Sequence, residues 1–288
     1  MSNQLGEALK WGRETLKAAG LEDYNISAEL LLRSVLDVTR SQLLLNNNSE
    51  IFLADFEKYA KLINRRANHV PLQYLIGWVE FYDIKLQIDN RALIPRPETE
   101  ILVETVIQKL QGISSPTILD IGTGSGNIAI ALAKNIAGAA VTGIDISGGA
   151  LDLARSNAKL NLVENSSRWI MGDIKDQDFV KSIGKFNCVV SNPPYVSLAE
   201  KDKLQPEVIE HEPSVALFGG EDPLIFYRTI VGISSYIITL RGLLAFEVGM
   251  GQAGDVAALM KANFKDVDIT RDLAGIERVV TGVYAGSG

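Results

Sequence analysis

A carboxamide nitrogen is a poor nucleophile because its lone pair is delocalised into the carbonyl, and Asn192-Pro193-Pro194-Tyr195 offers what such a nitrogen lacks. Two acceptors that take both hydrogens of an NH2 group orient the lone pair and favour a more pyramidal nitrogen. Asn192 supplies a side-chain carbonyl. Pro193 has no N–H but keeps its C=O, and proline stiffness fixes where that oxygen points. Tyr195 adds a flat apolar face for a planar substrate group. As a turn alone Asn-Pro is commonplace; its weight comes from what precedes it.

What precedes it is Asp120-Ile121-Gly122-Thr123-Gly124-Ser125-Gly126, where an apolar strand-like run passes into a helical one. Glycines let a backbone turn sharply and approach a ligand without a side chain in the way. Position 127 is Asn, so the spacing is GxGxG and the third glycine of the dinucleotide fingerprint is missing. Asp120 suits a cationic ligand bearing an amino group better than a pyrophosphate. Asp145, at the end of the next strand-like run, can accept from both ribose hydroxyls of a nucleoside; with Ser147 and Gly148 after it, a helix cap is the alternative. Asp173 closes a third run and is placed to accept from an adenine amine. Three carboxylates at three strand ends read together as a site for S-adenosylmethionine. Its sulfonium carries the leaving group, so neither a metal nor a nucleophilic triad is required.

These residues need a sheet to hold them. Strand-like runs at 117–121, 140–146, 168–171, 186–191, 243–248, 266–270 and 278–284 alternate with helical runs at about 127–136, 148–161, 174–183, 223–239 and 252–263. That pattern predicts an α/β domain with a parallel sheet covered on both faces. No helical run separates the last two strands, which predicts a closing antiparallel hairpin. Upstream, Leu5, Ala8, Leu9, Leu16 and Ala19 form one helical stripe; Ser27 caps a second with Ala28, Leu31, Leu32, Val35 and Leu36; Phe56, Tyr59, Ala60 and Ile63 mark a third. Such stripes must bury against each other, giving a small helical bundle. Residues 78–94 read as a strand pair or extended linker, with a turn at Asp89-Asn90, and Pro97 opens a helix running to about Leu110.

Composition narrows the function classes. Of 288 residues, 47% are apolar and 22% charged, ordinary for a globular enzyme. The net charge of −7 and pI near 5.0, with no Lys/Arg tract, disfavour direct nucleic-acid binding, which needs a concentrated basic face. Cys188 sits in an apolar run and reads as an inert core thiol. His69 and His211 lie far apart, so no His/Cys metal cluster can be assembled. The first residues carry no basic-then-apolar signal and no run approaches a membrane span, so no membrane partner is expected and the cytoplasm is the expected compartment.

With these residues in view, the chain resembles the HemK/PrmC family of protein-glutamine N5-methyltransferases over nearly its whole length. The Asn-Pro-Pro-Tyr turn is shared with adenine-amino methyltransferases. The narrower match lies in Pro71-Leu72-Gln73-Tyr74-Leu75-Ile76-Gly77, Ile94-Pro95-Arg96-Pro97-Glu98-Thr99-Glu100, Glu212-Pro213, Ala216-Leu217 and Gly219-Gly220. Glu247-Val248-Gly249 with Gln252, and Asp272-Leu273-Ala274-Gly275-Ile276 with Arg278, are similar as well. The resemblance implies a helical substrate-docking domain (1–77), a β-hairpin linker (78–96) and a Rossmann-like seven-stranded methyltransferase domain (97–288). It implies methylation of the glutamine in the Gly-Gly-Gln tripeptide of peptide chain release factors. Gly122, Thr123, Gly124, Ser125, Gly126 and Asp145 would contact S-adenosylmethionine, and Asn192, Pro193, Pro194 and Tyr195 would hold the glutamine amide. Three positions depart from the family: Ile174 replaces the usual aromatic residue against adenine, and Asp83 and Pro223 stand where glycine is common. Arg96 and Glu98 have two readings, bracing the linker or lining the substrate cleft.

Three other functions compete: an adenine-amino methyltransferase acting on DNA or RNA, a non-catalytic protein that kept the fold, and a nicotinamide dehydrogenase. The acidic balance weighs against the first, intact Asp145 and Asn192 against the second, and Asn127 against the third.

Overall fold

The computed structural model describes residues 4–286. The chain divides into two compact units, one of residues up to 77 together with 205–211, the other of 78–204 and 212 onwards.

The first unit contains α1 (Leu5–Ala18), α2 (Tyr24–Leu36), α3 (Arg40–Leu45), α4 (Leu53–Ala67) and α5 (Leu72–Ile76). Leu16, Leu31, Leu32, Tyr59 and Ile63 are wholly buried, so the three predicted stripes do face one another. Ser27 is not a cap. The second helix begins three residues earlier, and Ser27 is buried inside it, donating to Asp23 at 2.5 Å. The reason is Arg66, a buried cation that needs acceptors. Its guanidinium donates to Ser27 Oγ at 3.2 Å, Asp23 Oδ1 at 3.1 Å and Glu207 Oε2 at 2.6 Å. Glu207 lies in the short helix of 206–211, and this ion pair ties that segment into the helical unit.

The second unit opens with a hairpin, β1 (Trp78–Phe81) and β2 (Ile84–Gln87), followed by α6 (Pro97–Lys109). The Asp89-Asn90 turn forms, with the Ala92 N–H donating to the Asp89 carbonyl at 3.2 Å, but the hairpin reverses earlier. It turns at Tyr82 and Asp83, both at positive φ (41° and 58°), the left-handed pair that matches strand twist. Asp83 thus adopts, at some steric cost, the conformation glycine would take freely. The hairpin is fastened by Asn157, which is wholly buried. Its Oδ1 accepts from Gln87 N at 2.7 Å, while its Nδ2 donates to Gln87 O at 3.0 Å and Ser125 O at 2.9 Å. One carboxamide therefore joins the hairpin to the glycine loop. Asn157→Ala should lower unfolding free energy by about 2–3 kcal/mol, since it strands the buried Ser125 carbonyl and unfastens the Gln87 backbone. Urea denaturation reads this, and an unchanged midpoint would argue that the clamp is dispensable.

The sheet is built from β3 (Thr117–Ile121), β4 (Ala140–Asp145), β5 (Ser167–Met171), β6 (Phe186–Ser191), a short β7 (Val196–Ser197) paired with β8 (Phe218–Gly220) to one side, then β9 (Ile238–Glu247), β10 (Phe264–Arg271) and β11 (Glu277–Tyr284). Between them lie α7 (Asn127–Asn135), α8 (Gly148–Leu160), α9 (Gln177–Ser182), α10 (Pro206–His211, of the helical unit), α11 (Ser214–Leu217), α12 (Ile225–Ile237) and α13 (Ala253–Met260). The seven-stranded order is β10-β11-β9-β6-β3-β4-β5, parallel from β9 to β5 and antiparallel at β11 and β10. The closing hairpin is as predicted. Side chains alternate between two cores: Ile118, Cys188, Val190 and Leu243 face one, Leu119, Val189, Leu244 and Phe246 the other. That period of two, apolar on both faces, is why the strands read as continuous apolar runs.

Chain order runs outward from β3 through β4 to β5, then returns to place β6 on the other side of β3. The adjacent carboxyl ends of β3 and β6 thus form the point where strand order reverses, and ligands bind at such crevices. One end carries the glycine loop, the other Asn192-Pro193-Pro194-Tyr195. Among the described residues, no helix is long and apolar enough to cross a membrane.

Candidate active site

A cavity of about 280 Å3 opens at this reversal point, lined by residues of the sheet unit. Gly122, Thr123, Gly124 and Ser125 line it together with Asp145, Asp173 and Ile174, and so do Asn192, Pro193 and Pro194. The two motifs are held in register because Ile121 pairs with Ser191, whose hydroxyl donates to the Ile121 carbonyl at 2.8 Å.

The glycine loop fits a bulky ligand. Gly122 has φ +71°, and a Cβ there would meet nothing within 4 Å, so the loop borders open space that any side chain would begin to fill. Asp145 faces the same space. Its Oδ2 accepts from Gly124 N and its Oδ1 from Ser147 N, each at 2.9 Å. The cap of α8 is instead Ser147, whose hydroxyl accepts from Ala150 N. Asp145 is therefore braced by two backbone amides, and each oxygen keeps a lone pair for a hydroxyl donor. Asp173 is similarly turned, with Oδ1 accepting from Lys175 N at 2.9 Å. These carboxylates suit a ligand carrying hydroxyls, an amine and positive charge.

Three predicted site residues stand elsewhere. Asp120 is wholly buried beneath the loop rather than on the cavity wall. Its Oδ2 accepts from the Thr123 hydroxyl at 2.6 Å, which pins the loop from below. Burial pushes its carboxyl up to about 7, opposed by hydrogen bonding from Thr123. Gly126 leads into α7 as its capping residue and is absent from the wall. Tyr195 is absent too: it packs on the core below the sheet end, against Gly249, where a Cβ would come within 2.9 Å of its ring. Gln252 Nε2 holds the Tyr195 carbonyl at 3.1 Å. Pro194 is fixed from the other side by β8, where a Cβ on Gly219 would lie 2.8 Å from the Pro194 oxygen. Only glycine permits that approach.

Arg96 lines the cavity and pairs with the buried Glu212 at 2.6 Å. Glu98 is off the wall and faces Arg278 at 3.5 Å. Cys188 is wholly buried, and burial raises its thiol far above the ordinary range.

Three side chains were not foreseen. Phe226, on α12, brings an aromatic ring to the cavity wall, with Lys175 Nζ 5.0 Å from its centroid. Nothing in the sequence pattern distinguishes it from the core residues beside it. Thr99, nearly buried on α6, accepts from Asn192 Nδ2 at 3.2 Å, leaving Asn192 Oδ1 as the acceptor for a ligand. Glu247 ends β9 beside β6, 2% exposed, and its Oε2 has no hydrogen-bond partner among the described residues. Burial pushes its carboxyl up to about 7, and Glu98 adds to this; Thr99, Arg278 and Asn192 oppose it. A carboxylate closing an apolar strand was the available signal, the same one that marked Asp145.

Comparison with known proteins agrees with this architecture. Residues 7–77 match the PrmC N-terminal domain family and residues 97–230 the methyltransferase small domain family. A release factor glutamine methyltransferase of Thermodesulfovibrio yellowstonii is 41% identical over 261 residues, spanning 89% of this chain and 92% of that one. Another from Deinococcus radiodurans is 36% identical over 283 residues, 98% of this chain and 99% of its own. A solved methyltransferase structure from Pyrococcus furiosus has the same fold, at TM-score 0.50 and 16% identity over 70% of this chain and 89% of that one. With that identity sustained across both units, the chain belongs to the release factor glutamine methyltransferase family.

Proposed function

We propose that this protein transfers a methyl group from S-adenosylmethionine to the side-chain amide nitrogen of the glutamine in the Gly-Gly-Gln tripeptide of peptide chain release factors. The observation that carries it is the orientation of Asn192. With Nδ2 bonded to Thr99, Asn192 Oδ1 is left to accept, and Pro193, which lines the same cavity, would supply the second acceptor that an NH2 group requires.

When bound, S-adenosylmethionine supplies an activated methyl on a sulfonium. Gly122, Thr123, Gly124 and Ser125 would hold it along the loop, Asp145 would accept from its ribose, and Asp173 and Ile174 would meet its adenine. Phe226 offers a second apolar face there. Asn192 and Pro193 orient the substrate nitrogen so that its lone pair points at the methyl carbon, and in-line approach at roughly 3–3.5 Å is what positioning contributes. The nitrogen would gain the methyl carbon as that carbon's bond to sulfur breaks, with the electron pair remaining on sulfur, and would give up one hydrogen as a proton to solvent. Ile94, Pro95, Pro194 and Pro213 also line the cavity and give part of it an apolar surface. The helical unit would serve to engage the release factor. The cytoplasm, where such factors work, is the compartment this reading requires.

Incubation with a release factor and labelled methyl donor should place label on the Gly-Gly-Gln glutamine, read by peptide mass spectrometry. Absence of label there, with both proteins folded, would reject the proposal. Label in DNA or RNA instead would favour an adenine-amino methyltransferase.

A further inference from the structure

Asn192 can serve as an acceptor only if its carboxamide is held one way round, because a flipped amide would present N–H groups to a nitrogen that also carries hydrogens. Crowding cannot decide this, since the two ends of a carboxamide are nearly the same size. A hydrogen-bonding partner must. Thr99 Oγ1 accepts from Nδ2, but a hydroxyl can donate as readily as accept, so alone it does not fix the direction. Beside Thr99 lies the buried Glu247 at the end of β9, where hydrogen bonding from Thr99, and less from Asn192, opposes the upward push of burial on its carboxyl.

We infer that Glu247 is a positioning residue for methyl transfer, whose carboxylate takes the Thr99 hydroxyl hydrogen and faces the Asn192 NH2, so that Asn192 Oδ1 is directed at the substrate amide. An ionised carboxylate accepts and never donates, which makes the chain from Glu247 through Thr99 to Asn192 run in one direction only. A carboxyl that has taken up a proton can donate back to Thr99, and the direction is lost. Glu247 Oε2 is buried without a partner among the described residues, a cost that a side chain serving the fold alone would not need to carry. The inference rests on the glutamine-amide reading above.

Titration follows from the surroundings. Glu98 on α6 and Arg278 on β11 are the charged groups that face Glu247, with the phenols of Tyr195 and Tyr227 nearby. Tyr227 donates to the Glu247 backbone carbonyl at 3.0 Å, and both phenols are raised above their ordinary value by burial. Neither therefore ionises where Glu247 does, at about 7. The turnover number should rise with pH through that region as the acceptor form is populated.

The test is Glu247→Gln in the full chain, assayed with release factor and labelled donor across pH 6 to 9. A lost charged hydrogen-bond acceptor should lower kcat about tenfold to a hundredfold. The rising limb near neutrality should flatten, while donor affinity by calorimetry and KM for the release factor stay within about threefold. If that variant does not fold, Thr99→Val carries the test: it should lower kcat in the same way, and Thr99→Ser should recover most of the loss. A Glu247→Gln enzyme with wild-type kcat and an unchanged pH profile overturns the inference, as does a Thr99→Val enzyme with wild-type kcat. Failure of the wild-type protein to methylate glutamine would instead count against the proposed function.

Discussion

Asn192→Ala should lower kcat by about a hundredfold to a thousandfold, the scale seen when one preorganised polar group is removed from the reacting centre. The substitution deletes one of two acceptors for the substrate NH2 group and frees the lone pair to wander from the methyl carbon. Structure should survive. Asn192 is only half-buried, and its side chain donates to Thr99 at 3.2 Å. Donor affinity should change little, because the loop of 122–125 and the carboxylates at 145 and 173 are untouched. Single-turnover kinetics with saturating donor separate these effects. A variant that kept the wild-type rate would remove Asn192 from the chemistry.

Asp145→Ala should show the opposite pattern, weakening donor binding on the order of a hundredfold through the loss of charge-assisted hydrogen bonds. Asp145 acts twice, as an acceptor facing the cavity and as the anchor for Gly124 N and Ser147 N. Losing it loosens the loop as well as removing a ligand contact. At saturating donor, kcat should recover to within about tenfold of wild type, since no acceptor for the amide is lost. Calorimetry with S-adenosylmethionine reads the affinity directly. Unchanged affinity would exclude Asp145 from the donor site.

Much of this arrangement is legible in the chain because strands buried on both faces write themselves as apolar runs, and polar residues at their ends then stand out. Asp145, Asp173 and Asn192 were visible in that way, and the cavity gathers all three. Asp120 has the same signature and a different fate. It belongs to the strand itself, wholly buried, while the loop after it forms the wall. Asp145 closes its own strand as well, and what separates the two carboxylates is that Asp120 is wholly buried and Asp145 is not. Tyr195 illustrates a related limit, since the direction of its ring depends on Gly249 and Gln252, which reach it only through packing. Thr99 lies in the 94–100 segment, but nothing there marks it as a partner of Asn192; the two meet across 93 positions through the packing of α6 on the sheet. The hairpin reversal at Tyr82-Asp83 is silent in the sequence because neither residue is the usual glycine or asparagine of such turns. Residues 205–211 group with the helical unit through Arg66 and Glu207, a pairing of charges that periodicity does not encode.

A crystal structure with the demethylated donor and a Gly-Gly-Gln peptide bears most directly on the two-acceptor claim. The glutamine nitrogen is expected within hydrogen-bond reach, about 2.7–3.2 Å, of both Asn192 Oδ1 and the Pro193 carbonyl, with the donor sulfur on its open side. A nitrogen beyond reach of either oxygen, or a sulfur directed away from it, would contradict that claim.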